Sequence, residues 1–161
     1  MTSPGERAPG EQDYRRLLAF RTELRDFLRW SEQAAHEAGL TPSLHQLLLA
    51  VRGHPQGQPP TIGEAAAVLH IRHHSLVELA QRAEAAGLLE RLRDPEDQRR
   101  LRLRLTPAGV AQLERLTRAH LPRIRTLARA LEGVVGEPPR RAARIPAATD
   151  PQAPATAGPP L

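Results

Sequence analysis

Residues 101–105, Leu-Arg-Leu-Arg-Leu, alternate apolar and charged side chains with a period of two, in a chain whose other apolar residues recur at helical spacing. Such alternation fits a half-buried strand, because on a helix it would scatter the leucines around every face. A strand needs a neighbour for its backbone groups, and residues 88–93 supply one across a turn at 94–98. The chain is therefore expected to hold one β-hairpin within an otherwise helical fold.

The helices are marked by their caps. Tyr14, Leu17, Leu18, Leu24, Leu28 and Ser31, widened by Phe20 and Phe27, form the stripe of a long amphipathic helix ending near Gly39. Thr41 followed by Pro42 gives an N-cap and a first-turn proline to a short second helix with Leu44, Leu47, Leu48 and Val51 on one face. After the breaker-rich loop at 53–60, Thr61-Ile62-Gly63-Glu64 reads as a capping box that opens a third helix marked by Ile62, Ala65, Ala66 and Leu69. A tight turn, His70-Ile71-Arg72, leads into a fourth helix whose buried face is Leu76, Leu79, Ala80 and Ala83, with Gly87 as its terminator. Thr106 and Pro107 open a fifth helix through Val110, Leu113, Leu116, Leu121, Ile124, Leu127, Ala128 and Leu131, which Pro122 is expected to kink or split in two.

Two short helices joined by a tight turn, then a hairpin, framed by long helices, spell a winged helix-turn-helix. The fold class is mainly α with a small β-hairpin wing and N- and C-terminal dimerisation helices. The folded domain is expected at 11–135, with a DNA-binding lobe at about 42–105 between dimerisation helices at about 12–38 and 107–135. Residues 1–10 and the Pro/Ala-rich 136–161 hold too few large apolar groups to offset their ordering entropy and are expected to be disordered tails.

Composition narrows the chemistry. The formal net charge is +5 and all 23 basic residues are arginine, a balance that favours polyanions such as nucleic acid. With no lysine there is no Schiff-base nucleophile or phosphate-loop lysine, and with no cysteine no thiolate or disulfide. No nucleophile, base and orienting group line up and no glycine-rich phosphate loop is visible, so neither an enzyme nor a cofactor is expected. The N-terminal residues lack the apolar core of a secretory signal, and no apolar run approaches the roughly 20 residues that span a bilayer. The expected location is cytoplasmic, without membrane contact.

The stretch 97–109, DQRRLRLRLTPAG, carries an acidic residue, an arginine two places on, an alternating strand and Leu-Thr-x-x-Gly opening the next helix. Gly87-Leu88-Leu89-Glu90-Arg91 leads up to it. Together these resemble the wing signature of the MarR family of transcription regulators, and the similarity extends over roughly residues 13–135. The resemblance implies a homodimeric regulator, commonly a repressor, that binds duplex DNA. It also implies a small-molecule effector in a crevice between the dimer helices and the DNA-binding lobe, and a role for Asp97 in holding the wing by pairing with an arginine. The sequence departs from the family's commonest pattern at His73, His74 and Glu78, where small, hydroxyl or basic residues are frequent.

The residues support a DNA-binding reading in their own right. The second helix of a helix-turn-helix enters the major groove by its N-terminal part, which places Arg72, His73, His74, Ser75 and Glu78 towards base edges and Arg82 towards a phosphate. Arg91, Arg99 and Arg100 are further candidates on the wing, and Arg99 at its tip suits a narrow minor groove. Arg102 and Arg104 either contact phosphate or are plain solvent-facing strand positions. Two-fold symmetry would set the recognition helices about 34 Å apart and call for an inverted-repeat operator. Trp30, His36 and His45 are candidates for an effector pocket, against a plainer role in core, interface or surface. An interaction module that kept the fold but lost DNA reading is the alternative that Glu78 and the His73–His74 pair motivate. A metal-responsive regulator is weaker, since no thiolate and no clear His/Glu spacing is present.

Overall fold

The computed structural model describes residues 8–55 and 57–135; residues 1–7 and the tail expected at 136–161 lie outside the described residues. Five helices and one hairpin follow in the order α1 (Glu11–Glu37), α2 (Pro42–Arg52), α3 (Ile62–Leu69), α4 (His73–Ala85), β1 (Leu89–Arg93), β2 (Leu101–Leu105) and α5 (Pro107–Val135).

The cap residues act as their chemistry dictates. Thr41 Oγ1 accepts the Leu44 amide at 3.3 Å and opens α2. At α3 the reciprocal box is complete: Glu64 N–H donates to Thr61 Oγ1 at 3.2 Å, and Thr61 N–H donates to Glu64 Oε2 at 2.7 Å. These bonds satisfy amides that a helix start otherwise leaves without partners, and the one from the Thr61 amide is the main reason the Glu64 pKa is lowered. Between α3 and α4 the chain reverses through His70 at φ 52°, a left-handed conformation that a non-glycine residue holds at some cost.

β1 and β2 pair antiparallel with Leu89 opposite Leu105, Arg91 opposite Leu103 and Arg93 opposite Leu101. The other edge of β2 is also held. Leu103 N–H donates to the Pro60 carbonyl at 2.8 Å, and Thr61 bridges Arg102. The hairpin is thereby fixed to the start of α3 rather than left as a free two-stranded ribbon, which alone would be marginal.

Two cores result. Leu47, Val51, Ile62, Ala65, Leu76, Leu79, Ala83, Leu89 and Leu103 pack the helix-turn-helix against the hairpin, so the face expected for α4 is the face it buries. Ala35, Leu40, Leu48, Leu113 and Leu116 form a second cluster where α1, α2 and α5 converge. The two meet at a crowded junction. An added Cβ on Gly109 would stand 1.9 Å from the Leu88 carbonyl oxygen, and Thr106, whose N–H donates to that same oxygen, places its Oγ1–H on the Gly87 carbonyl at 2.6 Å. The Leu-Thr-x-x-Gly pattern thus has a physical reason: the glycine lets α5 leave against the end of α4.

Of the two outcomes expected of Pro122, a kink or a split, the split is corrected, since α5 runs unbroken from 107 to 135 with Pro122 inside it. Pro122 and the residues next to it are exposed, so water can serve the carbonyl that loses its amide partner, and no neighbouring element crowds the ring. The outer parts of α1 and α5 stay uncovered. Leu17, Leu18, Leu28, Leu121, Ile124 and Leu131 are between 42% and 67% exposed, far more than Leu113 and Leu116 on the inner turns of α5.

Candidate nucleic-acid interface

α4 turns its first two turns outward. Arg72, His73, His74, Glu78 and Arg82 are exposed and Ser75 is half-buried, because Leu76, Leu79, Ala80 and Ala83 take the opposite side into the core. Arg72 at the N-cap makes no side-chain cap, in contrast to Thr41 and Thr61. The first-turn amides of α4 are therefore left for solvent or an anion, at the end where the helix dipole favours negative charge.

The wing turn is built around Asp94, which is buried. Its Oδ1 accepts the amides of Glu96 at 2.8 Å and Asp97 at 3.1 Å, and its Oδ2 accepts Arg102 Nε at 2.6 Å. The amide of Glu96, foremost, together with that of Asp97 and the Arg102 guanidinium, holds its pKa below the usual carboxylate range despite burial. Arg102 continues inward and donates through Nη1 to the Pro59 carbonyl at 2.8 Å. Neither role expected for Arg102 therefore applies: its side chain is only 17% exposed and ties the wing to the loop before α3. Asp97 pairs with Arg100 at 3.2 Å in an exposed contact and accepts the Arg99 amide at 3.0 Å, so it shapes the tip while Asp94 holds the base. Asp94 escaped sequence reasoning, although Asp-Pro-x-Asp is a signal for a side-chain-closed turn.

Arg99 and Arg100 stand exposed at the tip. Arg104 pairs with Glu90 across the strands at 2.6 Å. Arg91 is turned onto α4 instead, with Nε and Nη2 on Glu84 Oε2 at 2.8 and 2.6 Å. That side-chain bond is the leading reason the Glu84 pKa is lowered. His73, Arg91, Arg99 and Arg100 nevertheless share one open cleft of about 500 Å³ between α4, the start of α3 and the wing. These four candidates thus share a common face, with Arg91 committed to Glu84 and Arg100 to Asp97.

The three effector candidates separate. His45 is buried and Trp30 half-buried, and both rings meet His120 of α5, at centroid distances of 4.9 and 4.8 Å. His36 is exposed on α1 outside this group. His120 was not foreseen, although its spacing from Leu113 and Leu116 puts it on the buried stripe of α5. Among the described residues no group of three or more His, Cys, Asp or Glu side chains could hold a metal ion, and no helix is long and apolar enough to cross a membrane.

Comparison with known proteins agrees with this geometry. A sequence model of the MarR family matches residues 38–100. A Thauera aromatica protein named for transcriptional regulation of the hcr operon is 27% identical over 99 residues, covering 62% of this chain; the chain spans 58% of that relative's length. AbsC, a MarR family transcriptional regulator from Streptomyces coelicolor, superimposes with a TM-score of 0.62 at 19% identity over 78% of this chain and 84% of its own. MepR of Staphylococcus aureus, solved in complex with DNA, gives 0.59 at 23% identity over 68% and 80%. The segment from the end of α1 to the wing is thus similar in sequence to the MarR family, and the fold is that of solved MarR family regulators.

Proposed function

We propose that the protein is a homodimeric, DNA-binding transcriptional regulator that places α4 of each protomer in a major groove and each wing tip at the adjacent minor groove. The observation that carries this reading is the shared face of α4 and the wing. There His73, Arg99 and Arg100 line one cleft beside an uncapped helix start, so side chains able to meet base edges and charges able to meet phosphate point the same way. That MepR, a protein of similar fold, is solved in complex with DNA supports DNA as the partner. Arg72, His74, Ser75 and Glu78 then act as base-edge candidates and Arg82 as a phosphate contact, while Arg91 lends position through Glu84.

The exposed leucines and isoleucine on the outer turns of α1 and α5 form the dimer contact, with an inverted-repeat operator as its counterpart on DNA. Repression is the sign of regulation that the resemblance to the MarR family favours. Responsiveness to a small apolar effector is part of the same proposal, with Trp30 and His45 at the junction it would press on. The test is binding of the purified protein to duplex DNA from its own upstream region across a salt series. A steep fall of affinity with salt is expected from phosphate neutralisation, and salt-independent or absent binding overturns the reading.

A further inference from the structure

Where α1, α2 and α5 meet, the core contains two imidazoles and no carboxylate to answer them. His45 of α2 and His120 of α5 lie with ring centroids 4.9 Å apart and their planes inclined at 54°, and both are buried, each 7% exposed. The Nδ1 of His120 stands 2.7 Å from the Leu116 carbonyl, which can only accept, so Nδ1 carries the proton. Its Nε2 is then the acceptor for the Ser31 hydroxyl of α1 at 2.8 Å. In this state His120 is neutral and fully partnered, and one ring joins all three helices.

The surroundings of the pair hold little charge. From α1 the neighbours are Phe27, Trp30 and Ser31, none of them charged. From α5, Arg123, one turn beyond His120, holds its guanidinium 4.9 Å over the Trp30 ring. Among the described residues neither imidazole is paired with an acid; the charge that reaches His45 is that of His120. Burial foremost, and His120 next, depress the His45 pKa below 6.5.

We propose that the His45–His120 pair is a proton-operated clasp between the DNA-binding lobe and the dimer helices, closed while His45 is neutral and loosened when it takes a proton. A folded value below the free one means that the docked arrangement binds protons more weakly than the released one. Docking is at full strength above about pH 6.5, weakens as pH falls below it, and stops weakening once pH is below the folded value of His45. The window is that of mild acidification, where an unperturbed imidazole also titrates. Because α2 carries the helix-turn-helix core through Leu47 and Val51 and touches α5 through Leu48, releasing it alters how the reading head sits on the dimer helices. The link from clasp to DNA rests on the function proposed above; the clasp itself does not.

The test keeps those two apart. Imidazole C–H signals of the full chain are followed from pH 8 to 5 by NMR, alongside emission of Trp30, the sole tryptophan, whose contact with His120 makes it a reporter. His45 should titrate below 6.5, and His120→Gln should raise that midpoint by removing a like charge. Amides of α2 should exchange faster at pH 5.5 than base-catalysed chemistry predicts, by up to about tenfold, since that pH lies about one unit below the free imidazole value of 6.5. A His45 midpoint at or above 6.5, or α2 exchange that follows the intrinsic rate, overturns the clasp. If His120→Gln fails to fold, the unmodified protein decides: Trp30 emission should show a step in the same pH window, and a flat profile overturns the proposal. Affinity for a duplex of any sequence is measured in parallel. Loss of binding on acidification that His45→Gln abolishes supports the coupling, whereas absence of DNA binding at every pH counts against the proposed function and leaves the titration result standing.

Discussion

Asp94 Oδ2 and Arg102 Nε meet at 2.6 Å beneath the wing turn, with the other oxygen of the same carboxylate taking two amides of that turn. One charge thus sets both the curvature of the turn and its attachment to β2. Its folded pKa lies below the ordinary 3.8, so its contribution is complete above that value and is lost as pH falls through the lower, folded one. Asp94→Asn removes the charge at neutral pH while keeping the shape. The Glu96 and Asp97 amides should then exchange roughly tenfold faster, with α3 amides unaffected, because bonds to a charged acceptor are the strong ones. Unchanged exchange at those two positions would show that the turn holds itself.

Gly109→Ala should be severe for its size. A methyl group placed 1.9 Å from the Leu88 oxygen forces α5 away from the end of α4, at about 3 kcal/mol of stability by denaturant unfolding. Gly63→Ala is the control. Its nearest neighbour would be 4.0 Å away, so the same chemical change should shift stability by less than about 1 kcal/mol.

Arg99 and Arg91 should behave differently on DNA. Arg99→Glu at the exposed tip should lower affinity about tenfold to a hundredfold and flatten the salt dependence by about one unit of slope. Arg91→Ala should weaken binding less and leave the slope nearly unchanged, since Glu84 already neutralises that charge. Equal effects of the two substitutions on slope would show that Arg91 leaves Glu84 to meet phosphate.

The outer turns of α1 and α5 give a test of assembly. Leu18, 67% exposed, and Ile124, 46% exposed, should tolerate glutamate with little loss of helix content, yet the double variant should run as a monomer in light scattering. Removing residues 136–161 should leave the dimer intact. A monomeric full-length protein would contradict the proposed contact directly.

The helix boundaries were legible because caps are local: Thr41, Thr61 and Glu64 satisfy amides within three residues of themselves, so their spacing alone reveals them. The buried face of α4 was legible for a similar reason, since periodicity follows from backbone geometry. What escaped depends on residues far apart in the chain. Arg102 finds Pro59 across 43 positions and His120 finds Ser31 across 89, and no spacing rule connects such pairs. Pro122 was read too strongly in one respect: it does not divide a helix whose surface there faces water. On the recognition face, exposure followed from periodicity, whereas the diversion of Arg91 to Glu84 required knowing how β1 lies against α4.

The bond from Arg102 to the Pro59 carbonyl gives the segment at 53–60, which carries none of the groove-facing candidates, leverage over the wing. Lengthening or stiffening that segment would swing the tip bearing Arg99 as a lever turns about its pivot. A lineage could in this way retune which stretch of duplex its regulator grips while every side chain on the reading face stays the same.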